Sequence, residues 1–204
     1  MSFYREKIVP YLVHMSMRQE TLSAYRQRIV CAAEGRVLEV GVGSGLNLQH
    51  YTEQAAYVIA LDPSPKLLSM ARQAVKRPNL PITFLKASAE DIPLDDQSVD
   101  TVVTTWTLCT IPDVHRALTE MRRVLKPDGS LRFVEHGLST AANVRWWQDC
   151  LTPMWRRIGG GCHLNRQIDH LIEGAGFRIE KLTTGYMKGP KPMTFMYEGA
   201  ARSV

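Results

Sequence analysis

The sequence predicts an α/β domain in which a parallel sheet is covered by helices on both faces. Short apolar segments alternate with segments of helical periodicity through most of the chain, which is the pattern of repeated strand–helix–strand units. A glycine-rich stretch follows the first of these strands, and an aspartate ends the second. The 204 residues match the usual size of one domain.

The first predicted elements are helices. Apolar residues recur at helical spacing over residues 3–33, which indicates one or two helices, with Pro10 near a helix start or a kink. Two strand–helix pairs follow, in the order strand 36–40, helix 46–54, strand 57–61 and helix 65–76. The strand segments are short and almost entirely apolar, as expected of buried parallel strands.

The same alternation continues along the rest of the chain. The next predicted elements are strands 82–85 and 98–105, helix 113–125 and strand 130–135. They are followed by helices 142–158 and 165–173 and by strands 177–183 and 193–198. Gly174 and Gly176 end the second of these helices, because glycine is the usual residue just past a helix end.

Composition excludes several classes of protein. With 45% hydrophobic and 22% charged residues, the chain is neither disordered nor a coiled coil. The net charge of +5 comes from Lys and Arg spread without runs, so no nucleic-acid partner is expected. No apolar stretch reaches the roughly 18 residues of a membrane span, and we expect a cytoplasmic protein. The four cysteines form no CxxC pair, so neither disulfides nor a metal site is predicted.

A glycine-rich loop follows the first strand. Gly41, Gly43 and Gly45 stand at alternate positions, and glycine lets the backbone turn sharply and approach a ligand closely. A dinucleotide-binding loop would carry its third glycine one position later, where this chain has Leu46. The loop alone does not identify its ligand.

Two carboxylates lie near this loop in the predicted fold. Asp62 ends the second strand, 21 residues after Gly41, where an acidic residue binds the ribose hydroxyls of a nucleoside. Glu39, just before the loop, adds a negative charge that favours a cofactor with a cationic tail over one with a pyrophosphate. The alternative is structural: Asp62 would cap the helix that begins near Pro63, and Glu39 would cap a turn.

Five segments give the chain a family resemblance: VLEVGVGSG, ALDPS, AEDIP, SVDTVV and VLKPDGSL. In this order and at this spacing they resemble the signature segments of class I S-adenosylmethionine-dependent methyltransferases. The resemblance covers residues 36–183. It implies a Rossmann-like sheet of seven strands, mostly parallel with one antiparallel strand, helices on both faces, and S-adenosylmethionine as the cofactor.

The resemblance also implies roles for single residues. The loop of Gly41, Gly43 and Gly45 would lie under the methionine part of the cofactor, and Asp62 would bind the ribose.

Four further residues complete the implied cofactor site. Ser88, followed by Ala89, stands where the family often has an aspartate that meets the adenine amino group, and its hydroxyl can still accept one hydrogen bond. Thr105 and Trp106, at the end of the fourth strand, would line the cavity around the methyl donor. A packing role is the alternative for Trp106.

The C-terminal half resembles a narrower group. The segments WTLC, FVEH, LTPMW and GCHLNR resemble those of microsomal alkyl-thiol S-methyltransferases and their bacterial relatives, which implies a small, apolar thiol as methyl acceptor. Those microsomal enzymes begin with a hydrophobic anchor, and we expect none here. A resemblance to bacterial phosphatidylethanolamine N-methyltransferases leaves N- or O-methylation of a phospholipid or metabolite as the alternative. A cofactor-binding module without catalysis is the third.

Methyl transfer to a thiol is an in-line displacement in which opposite charges cancel, so a dry, apolar pocket favours it. Trp106, Trp147 and Trp155 are candidates for this pocket, and packing on the sheet is the alternative.

A base would help as well, because a thiol with a pKa of about 8.5 is mostly protonated at neutral pH. His136, just past the fifth strand, is the first candidate and His163 the second, with a structural role as the alternative for each. Arg166 is predicted to stabilise a thiolate or to bind an anionic acceptor, with a solvated position as the alternative. Cys109 and Cys162 are predicted to be packing residues.

Residues 1–34 are predicted to form a helical lid on a catalytic core of residues 35–204, within a single domain. The lid would fold over the open edge of the site and close it around acceptor and cofactor, using the side chains of Phe3, Tyr4, Tyr11 and Met15. Its mixed apolar and basic character also permits a weak contact with a membrane surface. The sequence predicts no particular oligomeric state.

Overall fold

A computed structural model describes residues 8–75 and 80–204. Phe3 and Tyr4 of the predicted lid, and the end of predicted helix 65–76, lie outside the described residues. The strands are β1 (Gly35–Val40), β2 (Ala55–Leu61), β3 (Ile82–Leu85), β4 (Val99–Thr105), β5 (Leu125–His136), β6 (Phe177–Tyr186) and β7 (Phe195–Ser203). The helices are α1 (Val9–Met17), α2 (Glu20–Val30), α3 (Pro65–Ala74), α4 (Val114–Val124), α5 (Ala142–Ile158), α6 (Ile168–Gly174) and α7 (Lys191–Thr194).

The seven strands form one sheet in the order β3-β2-β1-β4-β5-β7-β6. β7 runs antiparallel to both of its neighbours, and the other paired strands are parallel. The prediction of a seven-stranded sheet with one antiparallel strand is confirmed. The chain leaves β1 towards β2 and leaves β4 towards β5, so the loops after β1 and β4 diverge at the carboxyl edge of the sheet. Such a divergence is where open α/β sheets bind their ligands.

Side chains of adjacent strand residues pack on opposite faces, because a strand alternates its side chains. Leu38 of β1 belongs to a core cluster that includes residues of α4 and α6. Val37 belongs to a second cluster that includes residues of α2 and α3. The helices therefore cover both faces, and α2, part of the predicted lid, is built into the core.

The structure departs from one predicted element near the glycine loop. Residues 46–50 form consecutive turns instead of a helix, with backbone bonds from Leu48 N–H to Gly45 O and from His50 N–H to Asn47 O. Side-chain hydrogen bonds fix this segment to Glu39 in β1, and these tertiary bonds prevail over the local helical pattern. Within the described residues, no helix is long and apolar enough to cross a membrane.

Candidate active site

The glycine loop begins directly after β1 at the carboxyl edge of the sheet. A Cβ placed on Gly41 would lie 2.3 Å from Oγ1 of Thr107, and one on Gly45 would lie 2.9 Å from Cα of Ala71. A Cβ on Gly43 would meet only the carbonyl oxygen of Gly41, at 3.9 Å, although φ there is +56°. Gly41 and Gly45 thus permit close packing, whereas Gly43 presents bare backbone to an open side.

Asp62 holds this loop from the end of β2. Its Oδ2 accepts a hydrogen bond of 3.0 Å from Gly43 N–H, and its Oδ1 accepts one of 2.8 Å from Ser64 N–H. Ser64 caps α3 by accepting a bond from Leu67 N–H at 3.3 Å, so Asp62 is not the helix cap. Burial raises the pKa of Asp62, and the bonds from Ser64 and Gly43 oppose that rise. Each carboxylate oxygen retains a second lone pair for a hydroxyl donor.

Glu39 lies beneath the loop, with only 1% of its surface exposed. Its oxygens accept hydrogen bonds from Tyr51 Oη (2.8 Å) and Asn47 Nδ2 (2.9 Å). Asn47 Nδ2 also donates to Thr105 Oγ1 at 3.0 Å. Glu39 therefore supports the loop from below, linking β1 to β4, and does not cap a turn.

Burial is the largest influence on the pKa of Glu39 and raises it to about 7. The hydrogen bonds from Tyr51 and Asn47, and the charge of Arg26, act to lower it. The charge of Asp62 acts to raise it.

Replacing Glu39 with glutamine is therefore expected to flatten the pH dependence of stability. Because the folded pKa lies above the ordinary value of 4.5, the favourable contribution is complete below that pH and is lost as pH rises through about 7. The total loss is roughly 3 kcal/mol. Denaturant unfolding from pH 4 to pH 8 measures the slope. The matched control is Glu53→Gln, at an exposed position, and equal slopes for wild type and Glu39→Gln would contradict the assignment.

Alanine at Gly43 should mainly weaken cofactor binding, whereas alanine at Gly45 should mainly lower stability. Gly43→Ala places a methyl on the open side of the loop, so cofactor affinity should fall at least tenfold, with a stability cost of about 1–2 kcal/mol from its positive φ. Gly45→Ala drives a methyl into the Ala71 backbone and should cost roughly 2–4 kcal/mol. Calorimetric titration and denaturant melts separate the two effects. A Gly43→Ala protein with unchanged affinity would show that the ligand does not approach there.

The hydroxyl of Ser88, which was predicted to contact the adenine, is hydrogen-bonded to another residue of the chain. Ser88 Oγ donates to Glu90 Oε2 at 2.8 Å and accepts from Glu90 N–H at 3.3 Å. The other oxygen of Glu90 accepts from Asp113 N–H at 2.7 Å, which ties this turn to the start of α4. Ala89 is buried in the core, so its methyl is a packing group.

Trp106 is held at the end of β4 in an unusual backbone conformation. Its φ is +50°, which costs a non-glycine residue of order 1–3 kcal/mol. Its indole packs edge-on against Tyr25, with ring centroids 6.4 Å apart, and lies 4.8 Å from the guanidinium carbon of Arg26. Trp106 is thus fixed by α2, beside the hydroxyl of Thr105.

Glu135 anchors the loop after β4, a role that the sequence analysis missed. It is fully buried, and its Oε1 accepts hydrogen bonds from Thr104 Oγ1 (2.9 Å) and Thr107 N–H (3.0 Å). Burial raises its pKa to about 8, and the charge of Cys109 adds to the rise. A carboxylate at position 135, within the strand segment FVEH, was the sequence signal that could have identified this role of Glu135.

Two loops and the end of β5 bring the side chains of Cys109, His136 and Cys162 together, and we call these three residues the Cys–His cluster. Nε2 of His136 lies 3.0 Å from Sγ of Cys162, and one nitrogen or sulfur atom from each residue falls within 4.8 Å of the others. Cys109 and His136 are buried, and Cys162 is half-buried. Nδ1 of His136 is buried without a hydrogen-bond partner among the described residues.

His163 and Arg166 support the backbone of the loop after β4. The N–H of His163 donates to Cys109 O at 2.8 Å, and its Nδ1 lies 3.1 Å from the same oxygen. The guanidinium of Arg166 donates to the carbonyl oxygens of Leu108 and Pro112. Arg166 is therefore a structural residue of the site and not a solvated one.

The predicted pocket of three tryptophans does not form. Trp147 is 52% exposed and stacks edge-on against Trp146. α5 instead buries Gln148, whose amide accepts a bond from Ser139 N–H and donates to Gly137 O, both at 2.9 Å. Trp155 is half-buried and bonds to Cys162.

Helix α1 crosses the glycine loop. Nδ1 of His14 lies 2.7 Å from Ser44 Oγ in that loop, and a Cβ on Gly160 would lie 3.2 Å from Val9. Tyr11 and Met15, predicted to face the site, are 50% and 67% exposed, and Lys66 Nζ lies 4.9 Å from the centroid of the Tyr11 ring. Of residues 1–34, α1 thus contacts the glycine loop, whereas α2 contacts Trp106.

The opposite, amino edge of the sheet carries a solvent-open cleft of about 880 Å³, lined by residues that include Asp100 of β4 and Lys126 of β5. Nζ of Lys126 donates to Asp100 Oδ1 at 2.6 Å, and Arg36 N–H donates to Oδ2 at 2.8 Å. The Asp100 carboxylate of this cleft is thus paired with Lys126 and with the backbone of Arg36. The site residues lie at the carboxyl edge.

Comparison with known proteins identifies the family of the chain. Residues 38–133 match the family described as "Methyltransferase domain". The rat thiol S-methyltransferase TMT1B is 34% identical over 166 residues, which are 79% of this chain and 68% of that protein. The phosphatidylethanolamine N-methyltransferase of Cereibacter sphaeroides is 38% identical over 109 residues, 52% of this chain and 53% of that one. The crystal structure of a SAM-dependent methyltransferase from Aquifex aeolicus superposes with a TM-score of 0.68 at 19% identity, covering 96% of this chain and 98% of that one.

Proposed function

Because the chain belongs to the class I S-adenosylmethionine-dependent methyltransferases, we propose that it methylates a small, apolar thiol. The observation that carries the proposal is the Cys–His cluster at the carboxyl edge, beside the cofactor loop. Thr107 connects the two, since it lies against Gly41 and donates its N–H to Glu135, the neighbour of His136. The likeness to thiol S-methyltransferases spans 79% of the chain, which supports the same acceptor.

The residues around the glycine loop fit the cofactor. The bare backbone at Gly43 permits close approach, and the adjacent Asp62 carboxylate accepts hydroxyl hydrogen bonds. Glu39 and Asp62 make this end of the site acidic, which suits a ligand with a cationic amino-acid tail. When bound, S-adenosylmethionine supplies an electrophilic methyl group on a sulfonium sulfur.

The chain's own contribution to transfer is alignment and acceptor activation. His136 activates the acceptor in this proposal as part of the Cys–His cluster, which the contact of its Nε2 with Cys162 supports. His163 positions the Cys109 segment through the Cys109 carbonyl oxygen. Trp106, fixed by Tyr25 and Arg26, forms an apolar wall at the end of β4.

Incubation with S-adenosylmethionine and a panel of acceptors tests the proposal. The panel contains alkyl and aryl thiols, amines, phenols and phosphatidylethanolamine vesicles, with mass spectrometry of S-adenosylhomocysteine and of each methylated product. We expect methyl thioethers, and at least tenfold less of them from the matched Asp62→Ala protein at limiting S-adenosylmethionine. Turnover confined to amines, phenols or the phospholipid would reject the thiol. Cofactor binding without any product would favour a binding module.

A further inference from the structure

We propose that Cys109, His136 and Cys162 bind one zinc ion whose fourth coordination position receives the acceptor sulfur. The zinc site itself stands on the geometry of the Cys–His cluster. Its role towards the acceptor rests on the proposed thiol methyl transfer.

The ligand atoms of the three side chains are about as far apart as the protein ligands of a tetrahedral zinc site. Zinc bonds of about 2.3 Å to sulfur and about 2.0 Å to nitrogen place ligand atoms roughly 3.5–3.8 Å apart. In this structure the ligand atoms all lie within 4.8 Å of one another, and His136 Nε2 is 3.0 Å from Cys162 Sγ. Small side-chain rotations, which move each ligand atom by about an ångström or less, are enough to admit the ion.

The donor set also selects the metal. Two thiolates and one imidazole are soft and borderline ligands, which favour zinc over magnesium or calcium. Two thiolate charges neutralise Zn²⁺, so the buried site would carry no net charge and avoid the cost of an unpaired ion. Three protein ligands leave one tetrahedral position open, the arrangement of catalytic rather than structural zinc sites.

The surroundings hold the three ligands in place. Cys109 is fixed by the bonds of its carbonyl oxygen to His163, and Trp155 hydrogen-bonds to Cys162. His136 ends β5, which is paired with β4 and β7. Cys162 is half-buried, so the open position would face the side from which an acceptor enters.

A zinc ion at this site would favour the deprotonated form of the acceptor thiol. An acceptor thiol would displace a zinc-bound hydroxide: a Zn–S bond forms, the Zn–O bond breaks, and the thiol proton leaves with the hydroxide as water. Metal coordination keeps the sulfur as a thiolate at neutral pH. His136 then acts as a ligand, and no free base is needed.

Metal analysis of the untagged chain, purified without chelators, tests the site. We expect about one zinc per chain, and less than about a tenth of that in Cys162→Ser and Cys109→Ser. The matched control is Cys150→Ser, because Cys150 is an exposed residue of α5 and should leave the zinc content unchanged. Circular dichroism of each variant establishes that it folds.

Cobalt substitution adds a readout that does not depend on activity. Tetrahedral Co²⁺ bound to two thiolates gives intense thiolate-to-metal bands, and their intensity should rise by about half when an alkyl thiol becomes a third sulfur ligand.

Three results would overturn the site: a metal-free wild type with four free thiols, a disulfide between Cys109 and Cys162, or equal zinc in wild type and Cys162→Ser. Failure of the proposed function looks different. In that case zinc is bound and the cobalt bands form, but no thiol is methylated.

Discussion

Alanine at position 62 is expected to weaken S-adenosylmethionine binding by more than tenfold, or about 1.4 kcal/mol. In the proposed assignment Asp62 offers the carboxylate for the ribose hydroxyls, and charge-assisted hydrogen bonds contribute roughly 1.5–3 kcal/mol each. The substitution also removes the acceptor for Gly43 N–H, so the loop loses its support. Isothermal titration calorimetry with S-adenosylmethionine and S-adenosylhomocysteine measures the change.

Two further variants separate the contributions of Asp62. Asp62→Asn keeps an oxygen for the backbone N–H groups and removes the charge, so its affinity should fall between those of wild type and Asp62→Ala. Asp95→Ala, at an exposed position, is the control and should bind normally. Near-normal affinity of a folded Asp62→Ala protein would refute the ribose assignment.

Deletion of residues 1–18 is expected to reduce kcat/KM by roughly a hundredfold or more while the fold survives. α1 contacts Ser44 in the glycine loop through His14 and reaches Gly160 through Val9, so it connects the cofactor side of the site with the Cys162 loop. Neither core cluster contains a residue of α1, so the core should form without this helix. Turnover with a thiol acceptor and thermal melting measure the two effects.

A point variant provides the matched control for this deletion. Ser16→Ala alters an exposed position on α1 and should leave turnover unchanged, whereas His14→Ala removes the contact with Ser44 and should lower it several-fold. Full turnover by the truncated protein would eliminate α1 as a lid.

The alternation of strands and helices and the glycine loop followed from sequence because both depend on local signals. Buried parallel strands are continuous apolar runs, and the spacing from Gly41 to Asp62 reflects one strand–helix–strand unit. The segment 46–54 was predicted wrongly because its local pattern is helical, while Asn47 and Tyr51 form bonds to Glu39 that only the folded chain reveals.

The part of the site that would bind the methyl acceptor depends on contacts between segments distant in sequence. Fewer of its features were predicted from the sequence. Cys109 and Cys162 lie on separate loops and His136 ends β5, so no spacing rule joins the three residues. The tryptophan pocket was wrong because α5 turns Gln148 inwards, where its amide pairs with backbone groups, and leaves Trp147 in solvent. Apolar periodicity does not foresee a buried polar residue that is fully hydrogen-bonded.

The position of β7 has a consequence for how the chain folds. This strand is the last of the described strands in sequence, yet it lies between β5 and β6. During synthesis β6 therefore emerges before the neighbour that pairs with it, and the edge of β5 stays open until β7 arrives. Open strand edges promote aggregation. Loss of residues 195–203 would leave both strands in that state, so correct folding should depend strongly on β7.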